Sequence, residues 1–322
     1  MKKIIFSLLV IICISCKKEM KNTILNGEVF GTSYSVIYDS EEDYSKDFDS
    51  LFLVINKSMS TYIDSSLISK LNKNENIAID IHFKRVFDKS LEIYNETNGA
   101  FDPTIGVVVN AWDFGPKGKI QNLDSLKIDS IMQFVGFNKT KRLQNTIIKP
   151  KETFLDFNAI AKGYGVDVIG EFLESKNITN YLVEIGGEIR CKGINIEKQS
   201  PWKVGLEQPR FDGQQSILKA ISLSDEAMAT SGTYRKFKID DEGKRYAHII
   251  DTNTGYPSKT NILSVSVIAK DCMTADAYAT AFQAMGIENV LHFLKSHSEL
   301  KVYFIFENAK NELETLALNG FP

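Results

Sequence analysis

Asp276 and Thr280 stand four residues apart in the alanine-rich stretch MTADAYATAFQAMG, residues 273–286. On a helix that spacing puts both side chains on one face, about 6 Å apart along the axis. A carboxylate and a hydroxyl are hard oxygen donors. They suit Mg²⁺, which keeps waters and phosphate oxygens in its other positions. The competing reading is a small-residue helix packed close to its neighbour, with Asp276 as a cap. His248 shares a strand face with Ile250 in YAHIID, just ahead of the turn Thr254-Gly255-Tyr256-Pro257. A histidine there can be a general base or a structural residue. Ala229-Thr230-Ser231-Gly232 reads as a turn, either plain or offering hydroxyls and N–H groups to a phosphate.

A third group lies between Asp156 and Gly193. Asp156 closes an expected strand, Thr153–Phe157, and Asn158 is the expected N-cap of a helix. Ile160, Tyr164, Val168 and Phe172 recur every four residues, with Ile169 and Leu173 beside them. Gly163 and Gly165 fall in the first turns, where each costs about 1 kcal/mol relative to Ala. Lys162 is a cation near the positive end of the helix dipole. Small residues and a cation suit a phosphate bound at the N-terminus. Close packing beside a solvated lysine explains them equally well. Tyr181–Ile185 follows as a strand, and Gly186-Gly187 lets the chain turn or lets something approach it.

The elements that must hold these residues read as follows. Leu25–Tyr38 alternates around Gly31-Thr32 and predicts strands with a turn. Helices are expected over Glu41–Ser58, from an Asp64 cap through Leu71, over Phe83–Tyr94 with Asn98-Gly99 as a stop, and over Ser125–Val135, Thr274–Met285 and Glu288–Lys295. Further strands are expected at Thr146–Ile148, up to Arg190, and at Trp202–Glu207, Ile217–Leu223, Arg235–Ile239, Tyr246–Ile250, Ile262–Ala269 and Lys301–Phe306. Asp240–Gly243 is the turn of a hairpin. Strands come in runs and helices group early and late. That pattern favours α+β, with a mostly antiparallel sheet core and flanking helices, over a regular βαβ alternation.

A chain of 322 residues, 43% hydrophobic, can bury a substantial core. Its formal charge of −3, with no long basic run, argues against a nucleic-acid partner. Lys2-Lys3, the apolar run Ile4–Ile14 and Ser15-Cys16 resemble a bacterial lipoprotein signal. Residues 1–15 would be removed, Cys16 lipidated, 16–24 would form a tether and 25–322 one domain. An ordinary secretory signal is the alternative, and Cys13 departs from the usual lipoprotein pattern. Cys191 and Cys272 are too few for a disulfide framework and either pair or stay free.

Nine short motifs together carry a resemblance: GTSY (31–34), MSTY (59–62), NGAFDP (98–103), AIAKGY (159–164), IGGE (185–188), ATSG (229–232), HIID (248–251), TGYP (254–257) and ADAYAT (275–280). In this order they are similar to the ApbE family, the FAD:protein FMN transferases. The resemblance implies a T-fold-like α+β enzyme. It would split FAD with Mg²⁺, attach FMN by a phosphoester to a Thr or Ser of a target protein, and release AMP. Flavin-contacting positions fall on Phe30, Tyr62, Ala100, Phe101, Asp102, Asp156, Lys162 and Ile250. Metal positions fall on Asp276 and Thr280, with backbone carbonyls at Ala159 and Ala279, and His248 matches the base. Phe30 stands where the family often has Met, and Asn158-Ala159 replaces Asn-Gly. Alternatives are FAD hydrolysis to FMN and AMP, or a flavin-binding lipoprotein without turnover. The implied setting is a lipid anchor facing the periplasm or cell exterior, with an acceptor such as a membrane redox-complex subunit.

Overall fold

Alternating strands that must each bury one face pair here into a single eight-stranded sheet. The computed structural model describes residues 21–116, 118, 120–234, 237–239 and 245–322. The expected signal, Cys16 and most of the tether lie outside the described residues, as does the expected turn Asp240–Gly243.

The first half contains β1 (Thr23–Val29), β2 (Thr32–Tyr38), α1 (Ser45–Met59), α2 (Leu67–Asn72), α3 (Ile81–Glu96), α4 (Gly106–Ala111), α5 (Ser125–Met132), β3 (Lys141–Leu143) and β4 (Thr146–Ile148). Next come α6 (Ala161–Ser175), β5 (Tyr181–Ile185), β6 (Glu188–Lys192), β7 (Trp202–Glu207), β8 (Ile217–Leu223) and β9 (Ala227–Gly232). The chain continues through β10 (Phe237–Ile239), β11 (Arg245–Ala247), β12 (Ile262–Ala269), α7 (Cys272–Met285), α8 (Ile287–Phe293), β13 (Lys301–Glu307) and β14 (Leu313–Leu318).

The main sheet runs β1-β2-β5-β6-β9-β12-β13-β14, every pair antiparallel. Each strand therefore pairs with the next main-sheet strand in the sequence. The intervening segments are excursions, three of which include the separate hairpins β3–β4, β7–β8 and β10–β11. Helices α6 and α7 lie on one face, α6 over β5 and β6 and α7 over β9 and β12. The β7–β8 hairpin covers the other, packing Trp202, Val204 and Leu206 against Ile189, Ile268 and Ile305. Strand β12 is thus buried along its whole length, which is why it reads as an unbroken run of apolar and small residues.

Several expectations need correction. Thr153–Phe157 is not a strand. The Asn72 side chain bonds both the N–H and the carbonyl of Leu155, each at 2.8 Å, and Asp156 N–H donates to the Pro103 carbonyl. With its polar backbone groups met that way, the segment needs no ladder. Asn158 does not cap α6; the helix begins after Ile160, which makes no side-chain cap. Ser66, not Asp64, caps α2 by accepting from Ser69 N–H at 3.1 Å, while Asp64 pairs with Lys73 in solvent. The tether ends before residue 23, because Thr23 and Ile24 already pair with Tyr38 and Ile37. Ala229–Gly232 belongs to the central strand β9 rather than a turn. Its small residues fit because α7 lies directly on it. Cys191 and Cys272 are both buried free thiols. The Asn98-Gly99 stop is as expected, with φ of 50° and 82° and Gly99 N–H donating to Tyr94.

Candidate active site

Helices α6 and α7 meet almost at backbone contact. A Cβ on Gly163 would lie 2.4 Å from the Cys272 carbonyl oxygen and 2.8 Å from the Asp276 Cβ. Glycine at 163 is therefore explained by close packing, here helix on helix. A Cβ on Gly165 would lie 2.6 Å from the Phe30 ring, so Phe30 fills the room that glycine leaves. Gly163 N–H donates to Asp276 Oδ2 at 3.0 Å. Asp276 thus caps α6 from another helix, supplying the partner that Ile160 lacks. That N–H belongs to the first turn of α6 and has no acceptor within its own helix.

The α6–α7 contact forms one wall of a cavity of about 1070 Å³. That is at the upper end of the ~300–1,000 Å³ usual for small-molecule sites. The excursions from the sheet supply the other walls: Tyr62 after α1, Phe101 and Asp102 ahead of α4, Gly205 and Glu207 on β7, and His248 to Ile250 after β11. Two loops hold the last of these. Ile249 carbonyl accepts from Ser258 N–H at 2.8 Å, and Trp112 Nε1 donates to the Gly255 carbonyl at 2.9 Å. The His248 imidazole meets the Phe114 ring edge-on, with centroids 6.3 Å apart.

Charge inside the cavity is unbalanced. Among the described residues its wall carries Asp102, Asp156, Glu184, Glu188, Glu207 and Asp276 against Lys162 and His248. Lys162 is not a solvated lysine: its Nζ donates to Glu188 Oε1 at 2.6 Å. Burial pulls the Lys162 ammonium down, but Glu188 and Asp276 outweigh it and hold its pKa above the ordinary value. Burial pushes Glu188 up to about 7, against the opposing pull of Lys162. Burial also raises Asp276, with Lys162 and the Gly163 N–H opposing. Lys162, Glu188 and Asp276 together sum to one negative charge when ionised. Glu188 Oε2 is buried with no hydrogen-bond partner. A surplus negative charge is what a bound cation would offset. Among the described residues no three His, Cys, Asp or Glu side chains converge as a ready metal cage. A cation here would draw on one carboxylate and neutral oxygens, a donor set that suits Mg²⁺.

A family model described as the ApbE family matches residues 30–304. The chain is 35% identical over 308 residues to an FAD:protein FMN transferase of Haemophilus influenzae, covering 90% of this chain and 88% of that protein. It is 36% identical over 284 residues to one of Vibrio cholerae, covering 85% and 84%. The solved flavin transferase ApbE from Vibrio cholerae superposes with a TM-score of 0.83 at 33% identity, covering 92% of this chain and 97% of that one. The flavinyl transferase ApbE of Pseudomonas stutzeri, in its apo form, gives 0.82 at 26% identity, covering 92% and 95%. The chain belongs to the ApbE family.

The ApbE positions expected from sequence converge on this one cavity, with a single exception. Phe30, Tyr62, Ala100, Phe101, Asp102, Asp156, Ala159, Lys162, His248, Ile250, Asp276 and Thr280 all line it. Ala279 does not: it is 1% exposed in the middle of α7, off the cavity wall. Asp102 lines the wall, but its carboxylate is already engaged. Oδ1 accepts from Thr104 N–H and Oγ1, and Oδ2 from Phe137 N–H. Its carboxylate therefore fixes the loop that presents Phe101. Asp156 accepts from both nitrogens of Asn158; burial raises the hydroxyl pKa of Tyr62, and the charge of Asp156 adds to it. Glu188 had no role in the sequence reading although it stood in the IGGE motif. Its signal was a lone acid directly after a glycine turn, and only the fold shows that the turn aims it at Lys162.

Proposed function

We propose that the protein transfers FMN from FAD to a Thr or Ser hydroxyl of an acceptor protein and releases AMP. The observation that carries this reading is the convergence of Lys162, His248, Asp276 and Thr280 on one large cavity in a chain of this family. The acceptor oxygen attacks the phosphorus on the FMN side of the pyrophosphate. The P–O bond to AMP breaks, AMP leaves with the bridging oxygen, and the hydroxyl proton passes to His248. Tyr62 and Phe101 offer ring faces to the flat parts of FAD. Lys162, steadied by Glu188, faces the phosphates. Asp276, Thr280 and the Ala159 carbonyl are the groups we assign to Mg²⁺. When bound, that ion supplies positive charge to a site whose own balance is negative. The notion that the N-terminus of α6 cradles phosphate by itself is not retained, because Asp276 already occupies the Gly163 N–H.

The test is incubation of the purified protein with FAD, Mg²⁺ and a candidate acceptor domain, followed by mass spectrometry of that domain. FMN on a Thr or Ser, with AMP released in equal amount, is the expected outcome. AMP release that is the same with and without acceptor would assign hydrolysis instead. We further propose that Cys16 is lipidated and anchors the protein on the outer side of a membrane. The support is the basic, apolar and Ser15-Cys16 order of the first residues. Among the described residues no helix is long and apolar enough to cross a membrane.

A further inference from the structure

The two helices that meet at Gly163 are tied together twice. One tie is the bond from Gly163 N–H to Asp276. The other lies one helical turn away on each helix and runs in the opposite sense. Asp167, on α6, accepts from Cys272 N–H through Oδ1 at 2.9 Å and from Met273 N–H through Oδ2 at 2.8 Å. Those N–H groups open α7 and have no partner within their own helix. Each helix thus has its first turn capped by a carboxylate from the other. Asp271, the N-cap of α7, takes only Thr274 N–H, so Asp167 is not redundant.

Asp167 is itself held. Arg190 on β6 donates from one guanidinium nitrogen to Asp167 Oδ1 at 3.0 Å and from the other to Glu174 at 2.9 Å. Gly170 makes the room: a Cβ there would lie 3.1 Å from Arg190 Cδ. Arg190 is two residues from Glu188 on the same strand, and Lys162 shares α6 with Asp167. The Asp167–Arg190 pair therefore joins α6, α7 and β6, the three elements that carry Lys162, Asp276 and Glu188. Asp167 touches none of those three side chains directly.

We propose that Asp167 and Arg190 are positioning residues for the cation site: they fix the start of α7 against α6 and so set where Asp276 meets Lys162 and Glu188. This rests on the reading that Asp276 and Thr280 hold a divalent cation. Partners that orient a metal ligand typically change affinity or activity by about 10–100-fold when lost.

The experiment uses Mn²⁺ as the probe, its binding followed by electron paramagnetic resonance on the purified chain without FAD. FAD turnover is measured separately across Mg²⁺ concentration. Variants are Asp167→Asn, Arg190→Gln and, as the conservative control, Arg190→Lys. All are measured well below their melting temperatures. For Arg190→Gln, which leaves the bonds to α7 in place, half-saturation by Mn²⁺ should rise about tenfold. The Mg²⁺ dependence of turnover should shift with it, and Arg190→Lys should restore part of both. Asp167→Asn should shift both by at least as much. Variants that melt early but bind Mn²⁺ and turn over as the parent does would make the pair merely structural and overturn the proposal. A parent protein that takes up no Mn²⁺ would overturn the cation reading and this proposal together.

Discussion

Asp276 serves two ends at once. One oxygen caps α6, and the side chain also lines the cavity beside Lys162 and Glu188. The spacing alone leaves open whether Asp276 is a ligand or a cap; the fold makes it both a cap and part of the cavity wall. Asp276 is 6% exposed, so Asp276→Asn should lower both turnover and the melting temperature. Loss of the charge should reduce FMN transfer by about two orders of magnitude, the scale of a lost electrostatic stabiliser. Thr280→Val removes only a neutral oxygen that water can replace, and should cost about tenfold or less. AMP release with FAD and Mg²⁺ measures both, and equal losses in the two variants would contradict the assignment. Lys162→Met tests the neighbouring pair. Glu188 then keeps a buried carboxylate with no cation, and its pKa rises beyond about 7. An acid whose pKa is raised on folding contributes stability below its unfolded value, near 4.5, and loses it as pH rises through the folded one. The parent loses that contribution up to its own folded value near 7 and the variant goes on losing it beyond, so the melting temperature of Lys162→Met should fall further behind the parent as pH rises above about 7. The matching deficit in unfolding free energy should reach about 3 kcal/mol, the low end for a broken buried pair, because Lys162 keeps a third of its side chain in solvent. Adding Glu188→Gln should flatten the trend; a deficit independent of pH would contradict it.

Helices and strands with a clear period were legible before the fold was known. α3, α7, β7, β8, β12 and β13 fall where their spacing put them, to within a few residues. What could not be read was which element satisfies which. Asn158 has the chemistry of a cap, yet α6 is capped from α7, more than a hundred residues on. Phe154, Leu155 and Phe157 look like a strand because they are buried, but a side-chain amide replaces the ladder. The β9 segment Ala229–Gly232 reads as a turn because Ala, Thr, Ser and Gly suit turns; in the fold they suit a strand lying beneath a helix of small residues. Most site residues are legible through family motifs rather than spacing, since they come from segments far apart in the sequence. Gly163→Ala is the test at this scale. Alanine gains about 1 kcal/mol of helix propensity, but its Cβ would press on a backbone carbonyl that moves only with all of α7. Overpacking of that kind costs about 1–3 kcal/mol, and the rigidity of the neighbour puts it at the upper end. Urea unfolding should show a net loss of about 1–2 kcal/mol. A variant as stable as the parent would mean that α6 and α7 are not locked.

Taken whole, the molecule is a meander whose excursions built the site. The sheet supplies α6 and α7 with a common floor, and most of the excursions between its strands return with a piece of cavity wall. A fold of this kind can change its loops without disturbing strand pairing, because each main-sheet strand still meets its sequence neighbour. The anchoring proposal belongs to this scale. Cys16→Ser should abolish lipidation and move the protein from the membrane pellet to the soluble fraction, with FAD turnover unchanged. Retention in the membrane as before would contradict it.

The two ends of the sheet also make a practical ruler. Strand β1 is one edge, directly after the residues proposed as the tether, and β14 is the other. Seven inter-strand steps of about 4.8 Å separate them by roughly 34 Å. The last residue is held near that far edge, where Phe321 stacks on Tyr303 and Lys219 bonds the Pro322 carbonyl. A reporter fused after Pro322 would emerge on the side of the sheet remote from the proposed lipid anchor. Under the anchoring proposal, a fluorophore placed after Pro322 would measure how high above the bilayer the transferase stands.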